Sequence, residues 1–391
     1  MAQAINPLRA SDMRIHNQKI ILSKIYEARN NGISQSELVA GTGLRAPTLF
    51  RIFSSLEEQG LIEIFKNPEN SEEDTVRKGR RPVAFTTKKD GLYTVGIEFW
   101  ISYISFGIFD FRGNLICSRI EPLGKNIDIT EITDYIVALI REALSSHHIP
   151  VEKIPGIGVA APGQVDIAKR NVINYARIPG MKNYPLADEL ENRLGIRVII
   201  HNNCSVMALG EYRYGAYEHQ GAMFTFLLRS GVGGAFVNQQ GVYLSEFKTL
   251  EPGHMSINYD GPSCYCGAKG CLQAYLLELD SSCENDSKLL FSALEKQLED
   301  HSAEAEITLR KAADYLFVAI KSIMRFLSPR SFLILGNGKL VSGFIADHIK
   351  KRLINEPDAF IPDIPSVFGG ACNPLISQRG ASDLVISYFF T

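Results

Sequence analysis

Apolar positions in the first ninety residues recur at helical spacing, in short bursts separated by polar turns. In 18–29, QKIILSKIYEAR, the residues Ile21, Leu22, Ile25 and Tyr26 share one helical face. Ser34 with Glu37 three positions later is a capping box, which predicts a short second helix ending near Gly41 or Gly43. A third helix is predicted in LRAPTLFRIFSSLEEQG, with Pro47 in its first turn, Gly60 as its stop and Leu49, Ile52, Phe53 and Leu56 as its apolar stripe. Leu61–Phe65 and Pro82–Thr86 read as strands on either side of a polar, turn-rich loop, NPENSEEDTVRKGRRP. Three helices, a strand, a loop and a strand within about 75 residues predict a winged helix-turn-helix over residues 1–90.

Beyond residue 90 the texture changes. YTVGIEFWISYISFGIFDFRGNLI alternates about a turn at Arg112–Asn114 and reads as two strands of a hairpin. Helical patterns at Ile129–Ser145 and Ala187–Leu194 then interleave with strands at Gly156–Ala160, Val198–His201 and Met223–Leu228. Leu289–Glu299 and Ile307–Leu327 read as long helices, Phe332–Gly336 as a buried strand, and Gly380–Phe389 as a final helix. This alternation predicts an α/β body with mixed sheets over residues 91–391.

Charge refines the reading of the head. The 391-residue chain has a net charge of only −2, but residues 1–90 carry 14 Lys/Arg against 11 Asp/Glu. A basic head on an acidic body permits nucleic-acid binding by the head alone. Arg45, Thr48 and Arg51 stand off the apolar stripe at the start of the third helix, where polar residues would lead it into the major groove. Lys78, Arg80 and Arg81 cluster beside Gly79 in the loop between the strands, suited to phosphates or a narrow minor groove. A helical module that binds protein is the alternative, and the acidic run Glu69–Asp74 in that loop argues toward it; the cations favour double-stranded operator DNA. No stretch has the roughly 18 uninterrupted apolar residues of a membrane span, and the N-terminus lacks the apolar core of a signal peptide, so a cytoplasmic protein with no membrane contact is expected.

Seven cysteines suit a disulfide scheme poorly. Cys264, Cys266 and Cys271 form C-x-C-x4-C, with Gly267 and Gly270 letting the loop wrap, and His254 precedes them by ten residues. Three thiolates and an imidazole suit a tetrahedral structural Zn²⁺ with no open coordination position. Cys117, Cys204, Cys283 and Cys372 read as ordinary buried residues.

The segments GIEFWISYISFGIFDFRG (96–113), GIGVAAPGQVD (156–166), HNNCSVMALGE (201–211), SGVGGAF (230–236), LEPGHM (250–255), CYCGAKGCLQAY (264–275) and LILGNG (333–338) together resemble the ROK family, and the head resembles its repressor branch. The resemblance implies an actin-like, ribonuclease-H-like sugar-kinase-type body of two α/β lobes, about 91–202 with the C-terminal helix and 203–378. It implies the same four zinc ligands at 254–271. It implies a pocket for a sugar or sugar derivative, a homo-dimer or tetramer on DNA, and repression of carbohydrate-metabolism genes relieved by the sugar.

The resemblance also marks departures. By analogy the pocket would be formed by the backbone of Gly163 and by Asn202, Asn203, Glu251, His254 and Gln273. Asn203 stands where the family's kinases carry the aspartate that takes a proton from the attacking hydroxyl, and an amide cannot be a general base near neutral pH. Gln273 replaces a glutamate, and Arg177 an asparagine. The phosphate hairpin is replaced by Glu98, Phe99, Trp100, Ile101 and Ser102, whose Trp100 and Ile101 would fill the phosphate space, and Arg229 replaces a glycine of the second phosphate loop. A non-enzymatic regulator is therefore expected. The alternatives are an active sugar kinase with an accessory DNA-binding head, and a scaffold that contacts a transport or metabolic protein.

Overall fold

Each predicted apolar stripe of the head lies against its neighbours in a common core. In the computed structural model, which describes residues 10–66, 83–217, 221–244, 249–280, 289–361 and 363–391, the head comprises α1 (Ala10–Glu27), β1 (Ile33–Ser34), α2 (Gln35–Thr42), α3 (Ala46–Glu58), β2 (Ile62–Ile64) and β3 (Ala84–Thr87). Ser34 caps α2: its hydroxyl accepts from the Glu37 N–H while the Glu37 carboxylate accepts from the Ser34 N–H at 2.7 Å. Such a box is worth about 1 kcal/mol. Gly43, at φ +69°, ends the helix in the left-handed region. Leu49, Ile52, Phe53 and Leu56 of α3 are all buried with Ile21, Leu22 and Ile25 of α1, and Phe53 meets Phe85 of β3 at a ring separation of 4.6 Å. Burying side chains of this size contributes roughly 1.5–3 kcal/mol each, which is what holds so small a unit together. The three strands form an antiparallel sheet in the order β1-β3-β2. The loop carrying Lys78, Arg80, Arg81 and the acidic run Glu69–Asp74 lies outside the described residues.

The segment 93–116 departs from its expected two strands. It holds β4 (Tyr93–Phe99), β5 (Tyr103–Asp110) and the start of β6 (Leu115–Pro122). The extra turn at 100–102 is closed by the Trp100 N–H donating to the Tyr103 carbonyl at 2.9 Å. β4 and β5 are buried on both faces, so their sequence is a near-continuous apolar run, and Trp-Ile-Ser contains no glycine, proline or asparagine to interrupt it. The expected turn at Arg112–Asn114 is present between β5 and β6, with Gly113 at φ +80°.

After β6 come α4 (Ile129–Ser146), β7 (Ile157–Ala161), a small antiparallel sheet of β8 (Gln164–Asp166), β9 (Asn171–Asn174) and β10 (Lys182–Tyr184), α5 (Leu186–Leu194), β11 (Val198–Asn202) and α6 (Asn203–Tyr214). The first large sheet has the order β11-β7-β4-β5-β6, with β7 parallel to both β4 and β11. The second has the order β14-β13-β12-β15-β16. It is built from β12 (Met223–Leu228), β13 (Val232–Asn238), β14 (Gly241–Val242), β15 (Ser331–Gly336) and β16 (Ser366–Ala371), with α7 (Leu272–Leu279), α8 (Ser292–Glu299), α9 (Ala303–Leu327) and α10 (Lys339–Asn355) between its strands. Residues of α7, α9 and α10 share one apolar core with β12 and β15. The last helix, α11 (Pro374–Phe390), leaves the second sheet and packs on β4, β7 and α6. A Cβ on Gly380 would collide with the Val206 carbonyl, so glycine is what lets the α6 and α11 backbones touch.

The head is joined to the body through α11, the end of α6 and the β5–β6 turn. Tyr26 of α1 lies between Phe111 and Phe390, with ring centroids 5.8 and 5.6 Å away. Close by, Arg213 and Tyr214 at the end of α6 both donate to the buried Asp383 carboxylate at 2.7 Å. Burial, helped by the Asp383 charge, pushes the Tyr26 hydroxyl up to about 12. The opposite end of α6 begins at Asn203, so one helix runs from the interior of the body to the head. Among the described residues no helix is long and apolar enough to cross a membrane.

Candidate functional site

Loops from both large sheets enclose a cavity of about 830 Å³. The first sheet supplies Trp100 after β4, Gly163 after β7, and Asn202 and Asn203 at the β11–α6 junction; the small sheet supplies Tyr175 and Arg177 after β9; the second large sheet supplies Arg229 to Gly233 from the β12–β13 turn and the start of β13. Glu251, His254, Tyr265, Cys266 and Gln273 complete the wall. All six residues expected in the pocket, Gly163, Asn202, Asn203, Glu251, His254 and Gln273, therefore line one cavity of a size suited to a small organic ligand.

They do not all present free polar groups to it. Asn202 caps α6: its Oδ1 accepts from the Cys204 N–H at 2.8 Å, and its Nδ2 donates to the Gly163 carbonyl at 2.6 Å. The Gln273 Oε1 accepts from the Val232 N–H at 2.9 Å. These two amides thus hold the β11–α6 junction and the β12–β13 loop in position. Asn203, the first residue of α6, has its Oδ1 beside the Cys204 thiol. Glu251 is open to the cavity, and desolvation by the surrounding walls pushes its carboxyl up to about 7.

Two arginines cross the cleft in opposite directions. Arg177, from the first half, donates to the Ser230 carbonyl at 3.1 Å. Arg229, from the second half, pairs with Glu98 at the end of β4 at 2.7 Å and donates to the Tyr103 hydroxyl at 3.0 Å. Glu98 is fully buried and Arg229 is 7% exposed. The guanidinium also lies 5.6 Å from the Trp100 ring centroid. Burial opposes the Arg229 charge, but Glu98 outweighs it and holds the guanidinium well above its ordinary value. Position by position the sequence marks both residues as unusual; their pairing across 131 positions has no local signal.

The cysteine loop converges as its spacing suggests. His254, Cys264, Cys266 and Cys271 bring their ligand atoms within 4.8 Å of one another. The Cys264 Sγ to His254 Nδ1 separation is 3.5 Å and the Cys266 Sγ to Cys271 Sγ separation is 3.6 Å. A tetrahedral ion with ~2.3 Å bonds to sulfur and ~2.0 Å to nitrogen has edges of about 3.5–3.8 Å, so the donor set fits zinc in chemistry and in size. Gly267 and Gly270 adopt φ +91° and +70°. The other ring nitrogen of His254 lies 3.1 Å from the Tyr265 hydroxyl, a contact that would fix the ring of a metal ligand. Cys117, Cys204 and Cys372 are half-buried thiols, all raised by burial; Cys283 lies outside the described residues.

In the head, Arg45, Thr48 and Arg51 are exposed on α3, Arg45 at its N-cap. Lys78, Arg80 and Arg81 lie outside the described residues.

Comparison with known proteins gives matches of differing extent. The family model described as ROK matches residues 94–362. The xylose repressor of Bacillus subtilis (strain 168) is 24% identical over 383 residues, covering 95% of each chain. Among solved structures, a ROK family transcriptional regulator described as a homologue of the E. coli MLC protein superposes with a TM-score of 0.77 at 16% identity, covering 96% of this chain and 98% of its own. A ROK family glucokinase from Streptomyces griseus, solved with glucose and AMPPNP, reaches a TM-score of 0.61 at 21% identity and covers 75% of this chain.

Proposed function

Because the chain belongs to the ROK family, we propose that it is a sugar-responsive transcriptional repressor without kinase activity. The observation that carries this reading is the match to a xylose repressor over 95% of both chains, head included. The exposed Arg45, Thr48 and Arg51 support it, since an amphipathic helix with its apolar stripe buried leaves a polar, cationic N-terminal face for the major groove. Lys78, Arg80 and Arg81 would add phosphate contacts. Two copies would bind the halves of a palindromic operator.

In this reading a sugar or sugar derivative enters the cavity beside Asn203, Glu251 and His254. Differential binding to two arrangements of the halves would move α6, and through Asp383 and Tyr26 it would move the head. A coupling of about 1–3 kcal/mol is sufficient to change operator occupancy. Zinc held by His254, Cys264, Cys266 and Cys271 would supply rigidity to the wall that carries Gln273, not chemistry.

The absence of catalysis rests on three residues. The Asn203 amide cannot accept the proton of an attacking hydroxyl, and loss of a general base costs about 10²–10⁴ in rate. Trp100, and Arg229 paired with Glu98, would fill the region where the family's phosphate hairpin holds a nucleotide.

Selection of genomic duplexes bound by the full chain tests the reading. A single palindromic sequence should emerge, and a sugar linked to the neighbouring genes should shift its affinity. Arg51→Ala should weaken binding about tenfold and lower the slope of log K against log salt by about 1. An unchanged salt slope would move the DNA surface elsewhere. ATP-dependent phosphorylation of a hexose above background would instead establish a kinase.

A further inference from the structure

Phe50 has no role in the core of the head. It is 64% exposed on α3, while Leu49, Ile52, Phe53 and Leu56 of the same helix are buried. It lines a groove of about 500 Å³ between α1 and α3, together with Arg14, Asn17, Thr48 and Arg51. A large aromatic ring left in water beside two arginines and two amides, with one carboxylate, Glu58, at the far end of the groove's helix, has a composition that suits one surface in particular. The major groove of B-DNA has anionic walls and a floor of hydrogen-bonding base edges, and its one apolar feature is the C5-methyl group of thymine.

The charge along α3 favours that occupant. Arg45 and Arg51 lie toward its N-terminal end, where the helix dipole is positive, and the exposed Glu57 and Glu58 stand at its C-terminal end. A polyanion is therefore approached by the half of the helix that carries Phe50.

We propose that Phe50 reads a thymine methyl in the operator and is a specificity-determining residue of the head. This rests on α3 being the DNA-reading helix. The guanidinium groups of Arg45 and Arg51 would hold the helix to the backbone and base edges, and the Phe50 ring would exclude water from the methyl group.

The test removes that methyl and nothing else. With the full chain and its selected duplex, each thymine in turn is replaced by deoxyuridine and binding is measured by fluorescence anisotropy. At one position in each half-site the replacement should weaken wild-type binding about fourfold, the worth of one buried methyl group. Phe50→Ala should bind the thymine and uracil duplexes alike, and Phe50→Leu should retain part of the difference. Phe50 is exposed, so neither variant removes a core contact. The proposal is overturned if the wild type binds its duplex but ignores every thymine-to-uracil change, or if Phe50→Ala keeps the same sensitivity. It is equally overturned if Phe50→Ala alters only the oligomeric state in sedimentation, which would assign the ring to an interface between copies. Failure to bind any duplex is a different result and would remove the regulatory reading itself.

Discussion

Arg229→Met should destabilise the body by about 3–5 kcal/mol, the cost of leaving one member of a buried ion pair without its partner. Glu98 is fully buried, and its carboxylate faces the Arg229 guanidinium at 2.7 Å. The Tyr103 hydroxyl lies 3.2 Å from Glu98 and 3.0 Å from Arg229, so it can compensate only part of an orphaned negative charge. Burial and the neighbouring Glu98 already hold that hydroxyl well above its ordinary value, so it remains a neutral donor. The pair joins the end of β4 in the first sheet to the end of β12 in the second, so losing it should also loosen the cleft. The chain has a single tryptophan, Trp100, and its ring lies beside Arg229. Urea unfolding followed by tryptophan fluorescence therefore reports on this locus directly. The double variant Glu98→Leu with Arg229→Met should recover most of the loss, because a well-packed apolar pair of similar volume is about neutral against a buried salt bridge. A loss below about 1 kcal/mol in Arg229→Met would show that water reaches the pair in solution.

That ion pair also marks the limit of what the sequence reveals. The head is legible because its signals are local: Ser34 and Glu37 lie three residues apart, and the stripe of α3 repeats within thirteen residues. The metal cluster is legible for the same reason, with three thiols inside eight residues and His254 ten residues before them. The break between β4 and β5 is not, because both strands are buried on both faces and the turn between them lacks glycine, proline or asparagine. The residues around the cleft come from loops spread between Trp100 and Leu277, and periodicity carries no information on such pairings. Resemblance to a family gathers the expected pocket residues, but it cannot tell which of them face a ligand. Asn202 and Gln273 use side-chain groups to cap a helix and hold a loop, a division of labour set by the backbone around them. Phe50 is visible in the sequence as an apolar residue off the stripe, and only its exposure beside cationic neighbours makes it a candidate reader of bases.

The second large effect concerns the loop that forms the cleft's outer wall. The native chain should purify with about one zinc ion, and Cys266→Ser should purify with almost none. Removing one of four ligands opens a closed tetrahedral site and leaves the others to compete with protons, since thiolates bind metal and thiols do not. Burial, with the neighbouring Cys266 and Cys264 thiols, pushes the Cys271 thiol up. The His254 imidazole is shifted the other way by burial, which keeps it neutral and able to ligate. A ligand held at a thousand times its dissociation constant stabilises a fold by roughly 4 kcal/mol, and at roughly 2–4 °C per kcal/mol the melting temperature should fall measurably. Complete unfolding is not expected. The loop keeps metal-independent bonds, including the Ile257 N–H to the Gly270 carbonyl and the Cys264 N–H to the Ala268 carbonyl, both at 2.8 Å. The loss should instead spread along the chain. Cys271 is the N-cap of α7, whose Gln273 holds the Val232 N–H, so a loosened loop should weaken binding of any effector before it affects the head. Metal content by plasma mass spectrometry and thermal melting of the native chain, Cys266→Ser and the distant control Cys117→Ser provide the comparison. Full zinc in Cys266→Ser, or equal loss in the control, would refute this ligand set.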